Sequence, residues 1–117
     1  MFNDAKGYSK IFIVTGRTDL RGGIDKLSAT LYHHFQVDPF FVNSIFIFCG
    51  RQNKQLKALV WEGDGFLFLN KRLERGSFKW PRDSQEVLRI TQEQYDWLMK
   101  GFSVEPPIKQ VFPKGVV

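Results

Sequence analysis

Glu62-Gly-Asp-Gly65 sets two carboxylates two residues apart, the kind of pair with which a nuclease holds the divalent cation that activates water. Turn chemistry selects the same residues. Glycines supply backbone freedom, and an Asp side chain bonds readily to nearby backbone, so a hairpin turn is the plainer reading. A metal-dependent nuclease using Glu62 and Asp64 is retained only as an alternative. His33 and His34 are adjacent, and neighbours on a helix point about 100° apart instead of gripping one ion together. Cys49 is the single cysteine. It ends an apolar run, where a thiol is usually inert filling, and it excludes both an internal disulfide and a cysteine-rich zinc site. No glycine-rich loop leads to a Lys-Ser or Lys-Thr pair, so a phosphate loop is absent too. No catalytic residue, metal ligand or cofactor is assigned.

The cations carry more information. Seventeen Lys and Arg against 12 Asp and Glu give a net charge of +5. The first 50 residues are nearly balanced, and so are the residues from 90 onward. The excess lies between, above all at Lys71, Arg72, Arg75, Lys79 and Arg82, which face only Glu74. A local positive field attracts polyanions, nucleic acid foremost. Phe78 and Trp80 interleave with these cations, and exposed rings could stack on unpaired bases. Aromatics at strand spacing are more often core, which is expected of at least one of them. Arg17 and Arg21 flank a strand-to-helix turn and add to the set, with Arg51 and Lys54 at a hairpin tip ranked second.

These side chains need elements to position them. Lys10-Ile-Phe-Ile-Val14 reads as a buried strand. Asp19 is the expected N-cap of a helix reaching about Phe35, with Ile24, Leu27, Leu31 and Phe35 as its apolar stripe. Three apolar runs follow: 44–49, 56–61 and 66–71. The short Gly-, Asn- and Asp-bearing turns between them predict an antiparallel meander. Each run is apolar at successive positions, so both faces of the sheet must be covered. Val87–Ile90 is a last short strand. Thr91 and Gln94 form a capping box, Ile90 and Tyr95 a hydrophobic staple, and Tyr95, Leu98 and Phe102 the apolar face of a second helix ended by Gly101. The fold class is α+β: a small curved, mainly antiparallel sheet of order β-α-β-β-β-β-α with two packed helices.

One domain is expected over residues 10–102, after a lead of residues 1–9 and before an extended, Pro-containing tail over 103–117. The polar N-terminus lacks a signal-peptide block, and no apolar run approaches the roughly 20 residues that span a bilayer. A cytoplasmic protein with no membrane partner is the expectation.

Several blocks also occur in a familiar order: Thr15-Gly-Arg-Thr-Asp-Leu-Arg21, Gly23-Ile-Asp25, Asp38-Pro-Phe40, Ile45-Phe-Ile-Phe48 and Leu56-Lys57. Trp61-Glu-Gly-Asp-Gly-Phe66, Lys71-Arg-Leu-Glu-Arg-Gly76 and Phe78-Lys-Trp-Pro81 continue it. Over about residues 10–102 the chain resembles the TnpB-type accessory proteins, the second reading-frame products of insertion-sequence family sixty-six, which are unrelated to the RNA-guided nuclease sharing that name. Gly22 departs from the pattern, standing where the family commonly has Lys. The resemblance implies a part in transposition beside a separate, larger transposase and the element's other accessory proteins. DNA binding is the part usually suggested, and no catalytic residue comes with the family. The expected function is a non-catalytic accessory factor that binds DNA through Arg17, Arg21, Arg51, Lys54, Lys71, Arg72, Arg75, Lys79 and Arg82. A protein-interaction module bridging transposase subunits through an exposed Phe40-Phe41 pair or the tail is the other alternative.

Overall fold

A computed structural model describes residues 8–82 and 84–103. Five strands form one sheet in the order β4-β3-β2-β1-β5. They are β1 (Lys10–Val14), β2 (Ser44–Cys49), β3 (Gln55–Trp61), β4 (Phe66–Arg72) and β5 (Val87–Ile90). β2, β3 and β4 make the antiparallel meander, and β5 lies antiparallel to β1. Among the five described strands the parallel pair is β1–β2, with Lys10 opposite Ser44 and Val14 opposite Phe48. Parallel neighbours need a crossover, and helix α1 (Ile24–Ala29) with the π-helical turn Thr30–His34 supplies it. Helix α2 (Gln92–Met99) follows β5. The α+β class and the element order agree with the sequence pattern.

The unbroken apolar runs have a simple cause, because each face of the sheet has its own core. Ile11, Ile13, Ile45, Ile47, Leu56, Ala58 and Val60 point to one face, where Tyr95 and Leu98 of α2 and the rings of Phe78 and Trp80 cover them. Phe12, Val14, Phe46, Phe48 and Leu59 point to the other, under Leu27, Leu31 and Phe35 of the crossover. Phe12 and Phe46 stack across the β1–β2 pair with centroids 5.0 Å apart.

Two local expectations, for Asp19 and Phe102, are corrected, and the expected core role of at least one ring of the basic stretch holds for both. The N-cap of α1 is Gly23, without a side-chain cap, and the helix begins at Ile24. Asp19 instead accepts bonds from the backbone N–H of Arg21 (3.1 Å), its guanidinium (2.9 and 3.0 Å) and Lys26 Nζ (3.0 Å). A carboxylate with two cations in reach gains more from them than from free helix N–H groups, so the turn closes on itself. Phe78 and Trp80 are both buried, 1% and 5% exposed, so neither ring is open for stacking on a base. Phe102 is 58% exposed and lies beyond the end of α2, outside its apolar face.

The capping box is present with both reciprocal bonds, Gln94 N–H to Thr91 Oγ1 at 3.1 Å and Thr91 N–H to Gln94 Oε1 at 2.9 Å. Gly101 takes a positive φ of 86° and its N–H bonds the carbonyl of Leu98, as a helix terminator does. The lead before Tyr8 and the tail beyond Ser103 lie outside the described residues.

Candidate functional site

β1 and β2 run parallel, so their C-terminal ends share one end of the sheet. The antiparallel register brings the start of β3 and the close of β4 to that end as well, with Gln55 opposite Arg72. The β1–α1 turn, the β2–β3 hairpin tip and the exit from β4 thus surround one open groove of about 1080 Å³. Arg17 and Arg21 come from the first segment, Arg51 and Lys54 from the second, and Arg72 from the third. Lys57 also lines it, and among the described residues only Asp19 and Glu74 bring negative charge.

The walls are tied by backbone bonds. Thr18 N–H reaches the carbonyl of Cys49 at 3.0 Å, joining the β1–α1 turn to the end of β2. Leu73 N–H bonds Lys54 O at 2.7 Å, and Phe78 N–H bonds Asn53 O at 2.7 Å, so the segment after β4 is fastened to the hairpin tip. Asn53 holds that tip with a φ of 60°. Gly16 turns the chain out of β1 with a φ of 79°, and its N–H bonds Pro81 O at 2.9 Å.

The nine candidate residues do not share one environment. Arg17, Arg21, Arg51, Lys54 and Arg72 line the groove with exposed side chains. Arg21 is held by Asp19, whose carboxyl these bonds keep well below the usual carboxylate range. Arg72 lies 3.5 Å from Glu74, both of them largely exposed. Lys71 follows the alternation of Leu67 and Leu69 onto the α2 face, away from Arg72. Arg75 and Lys79 are exposed on the segment after β4 and do not line the groove.

Arg82 is turned inward. Its guanidinium donates to the carbonyls of Gly16 and Gly50 (2.6 Å for the latter) and to Asn53 Oδ1. It therefore fastens the β1 exit to the hairpin tip beneath the groove. Beside it Cys49 is fully buried, and burial pushes its thiol up to about 11 despite the nearby guanidinium. A thiol so poor at ionising is not a nucleophile at neutral pH.

Lys57 was missed among the candidates, although a signal existed. The hairpin register sets Lys57 opposite Asn70 and Gln55 opposite Arg72, so four polar residues gather at one end of a hairpin face that otherwise carries Leu59, Trp61, Phe66 and Phe68. Its Nζ donates to Leu20 O at 2.5 Å and stands 5.4 Å from the centroid of Phe68, so it braces the β1–α1 turn. Gly22 has a role of its own, because a Cβ there would collide with the stem of Lys26, which lies over it on the way to Asp19.

Glu62 and Asp64 sit at the other end of the hairpin. Glu62 N–H bonds Gly65 O at 2.9 Å and Gly63 takes a φ of 97°, which is turn geometry. Among the described residues no group of three or more His, Cys, Asp or Glu comes together to hold a metal ion. At the same end Phe40, 53% exposed, lies edge-on to Trp61 at 4.9 Å and near Phe66 at 5.4 Å. Among the described residues no helix is long and apolar enough to cross a membrane.

A small sheet protein with two helix-covered faces and a cation-lined groove at one end is the class that fold and site define. The model of the family described as IS66 Orf2 like protein matches residues 9–109, and the chain belongs to that family. Two relatives come from Sinorhizobium fredii (strain NBRC 101917 / NGR234). The uncharacterized protein y4hO is 32% identical over 98 residues, 84% of each chain. The uncharacterized protein y4jC is 28% identical over 92 residues, 79% of this chain and 78% of its own. No solved structure matches the chain at a significant level. The protein is accordingly an insertion-sequence protein, of a family that belongs to a transposition system.

Proposed function

We propose that this protein is a non-catalytic accessory factor of transposition that binds DNA, through the groove at the C-terminal ends of β1 and β2. The observation that supports this is the convergence of Arg17, Arg21, Arg51, Lys54 and Arg72, drawn from three separate segments, around only two carboxylates among the described residues. Guanidiniums clamp phosphate oxygens in pairs, and lysine adds a point charge. Exposed ion pairs such as Arg21–Asp19 are weakly held in water, so a phosphate can displace the carboxylate. Helix α1 has six residues and carries no row of base-reading side chains, so binding is expected to follow the backbone more than the sequence.

Geometry favours this reading over metal-dependent cleavage. Within one chain Glu62 and Asp64 lie one full strand from the cations, about 23 Å for seven residues at roughly 3.3 Å each. A nuclease needs its metal beside the phosphate that its cations grip.

Salt titration of DNA binding is the test. With five phosphates neutralised, log affinity falls against log salt with a slope near −4.5, so raising salt from about 50 to about 200 mM weakens binding roughly 500-fold. Replacing Arg17, Arg51 and Lys54 together with Ala brings the slope to about −1.8, whereas replacing Arg75 and Lys79 leaves it near the parent value. A flat salt dependence, or no binding to duplex or single strands at low salt, refutes the proposal.

A further inference from the structure

We propose that two copies of this chain associate through the outer edge of β4, joining their sheets into one continuous sheet. The strand order leaves two edges, β4 and β5. They are not alike. β5 has four residues and carries Arg89, and a short, charged edge is the usual protection against pairing. β4 has seven residues and begins Phe66-Leu-Phe-Leu69, apolar on both faces, with all four side chains only partly buried. It contains no proline, and among the described residues no loop backbone group bonds to residues 66–70. Such a strand presents an unpaired ladder flanked by apolar surface, and another strand is what it accommodates.

Symmetry and charge then choose the occupant and its register. In a two-fold antiparallel pair, residue i of one copy meets residue j of the other, and j meets i. Opposed residues must also share a face, so the pair centres on a residue and not between two. Centring on Phe68 sets Leu67 opposite Leu69 of the second copy on one face. It sets Phe68 against its own counterpart on the other. The same register opposes Asp64 to Arg72, and symmetry repeats that attraction at both ends of the pair. Centring on Leu69 would oppose Asp64 to Glu74, two like charges. Centring on Leu67 would draw Gly63, with its positive φ, into the ladder. Asp64 is exposed, and among the described residues Arg72 is ion-paired only with Glu74, at 3.5 Å and largely in water, so both can turn to a new partner. A second copy therefore satisfies the edge, the apolar rows and the charges at once.

Sedimentation equilibrium of the full chain at low salt, without DNA, tests this. The expected result is a reversible dimer of the 13.7 kDa chain. Asp64→Lys and Arg72→Glu, each present twice in the dimer, raise its dissociation constant about tenfold or more, and the two exchanges combined restore it to within about threefold. A protein monomeric up to about 100 μM overturns the proposal. So does a dimer indifferent to either single exchange, or one that the double exchange does not rescue. Because DNA is absent, the measurement reads the seam alone; Arg72, common to the seam and the groove, is left intact in the Arg17, Arg51 and Lys54 variant that tests DNA binding.

Discussion

Arg82 and Arg72 are both arginines of the most basic stretch of the chain, yet the fold puts them to opposite uses. Arg82 gives its donors to two backbone carbonyls and an Asn side chain, and so ties the exit of β1 to the hairpin tip. Arg72 projects from the end of β4 with its guanidinium largely in water. Asp19 is the residue that restrains the groove's charge, because it holds both Arg21 and Lys26. Its carboxyl is depressed below the ordinary 3.8 chiefly by the bonds from Arg21. A folded-state pKa below the unfolded one means that its contribution is complete above about pH 4 and fades as the pH falls below 3.8. Thermal melts between pH 6 and pH 2 are therefore expected to show the parent losing more stability on acidification than Asp19→Asn. The same variant removes the competitor for Arg21, so its DNA affinity at neutral pH and low salt should rise a few-fold with the slope still near −4.5. An unchanged or weaker affinity would detach Arg21 from the interface.

At the scale of elements, the exit from β1 is the most constrained piece of the site. Thr15 Oγ1 donates to Ser84 O at 2.7 Å and accepts from Glu86 N–H at 2.9 Å, which locks the end of β1 to the approach of β5. Gly16 then reverses the chain with a φ that side chains with a Cβ rarely adopt. A Cβ there would also stand 2.8 Å from Gln85 Cγ and 3.2 Å from Ser84 O. Gly16→Ala is expected to cost roughly 1–3 kcal/mol in urea denaturation, from backbone strain and crowding together. It should also weaken DNA binding, since Arg17 follows directly and the carbonyl of Gly16 is one of the acceptors that anchor Arg82. A variant as stable as the parent would show that the turn can be rebuilt without the positive φ.

For the whole molecule, one sheet shared by two cores is the governing feature. Leu31 is fully buried on the α1 face and Leu98 fully buried on the α2 face. Truncating either to Ala should cost about 2–5 kcal/mol. Because the same strands form the floor of both cores, each variant should shift a single unfolding transition, with tryptophan fluorescence and far-UV circular dichroism changing together. Two separated transitions would mean that the faces fold independently. The layout also divides functions by place: the cations gather at one end of the meander, and the acidic turn with the Phe40–Trp61–Phe66 cluster lies at the other.

How far the sequence could be read follows from the range of the interactions involved. Local patterns determined the strand runs, the hairpin turns, the capping box of α2 and the need for cover on both faces, since each rests on residues within one or two turns of chain. The ordered family blocks determined kinship in the same way. Asp19 was misplaced because its choice between helix N–H groups and two cations depends on how the turn closes. The fate of the cations lay further out of reach. Lys71 and Arg72 differ by one position, and strand alternation sends them to opposite faces; Arg82 turns inward because carbonyls 32 and 66 residues distant in sequence await it. Charge along a chain is a linear property, but a site is a matter of which ends the strand pairing brings together. Only the parallel seating of β1 on β2 decided that Arg17, Arg21, Arg51, Lys54 and Arg72 would surround one groove.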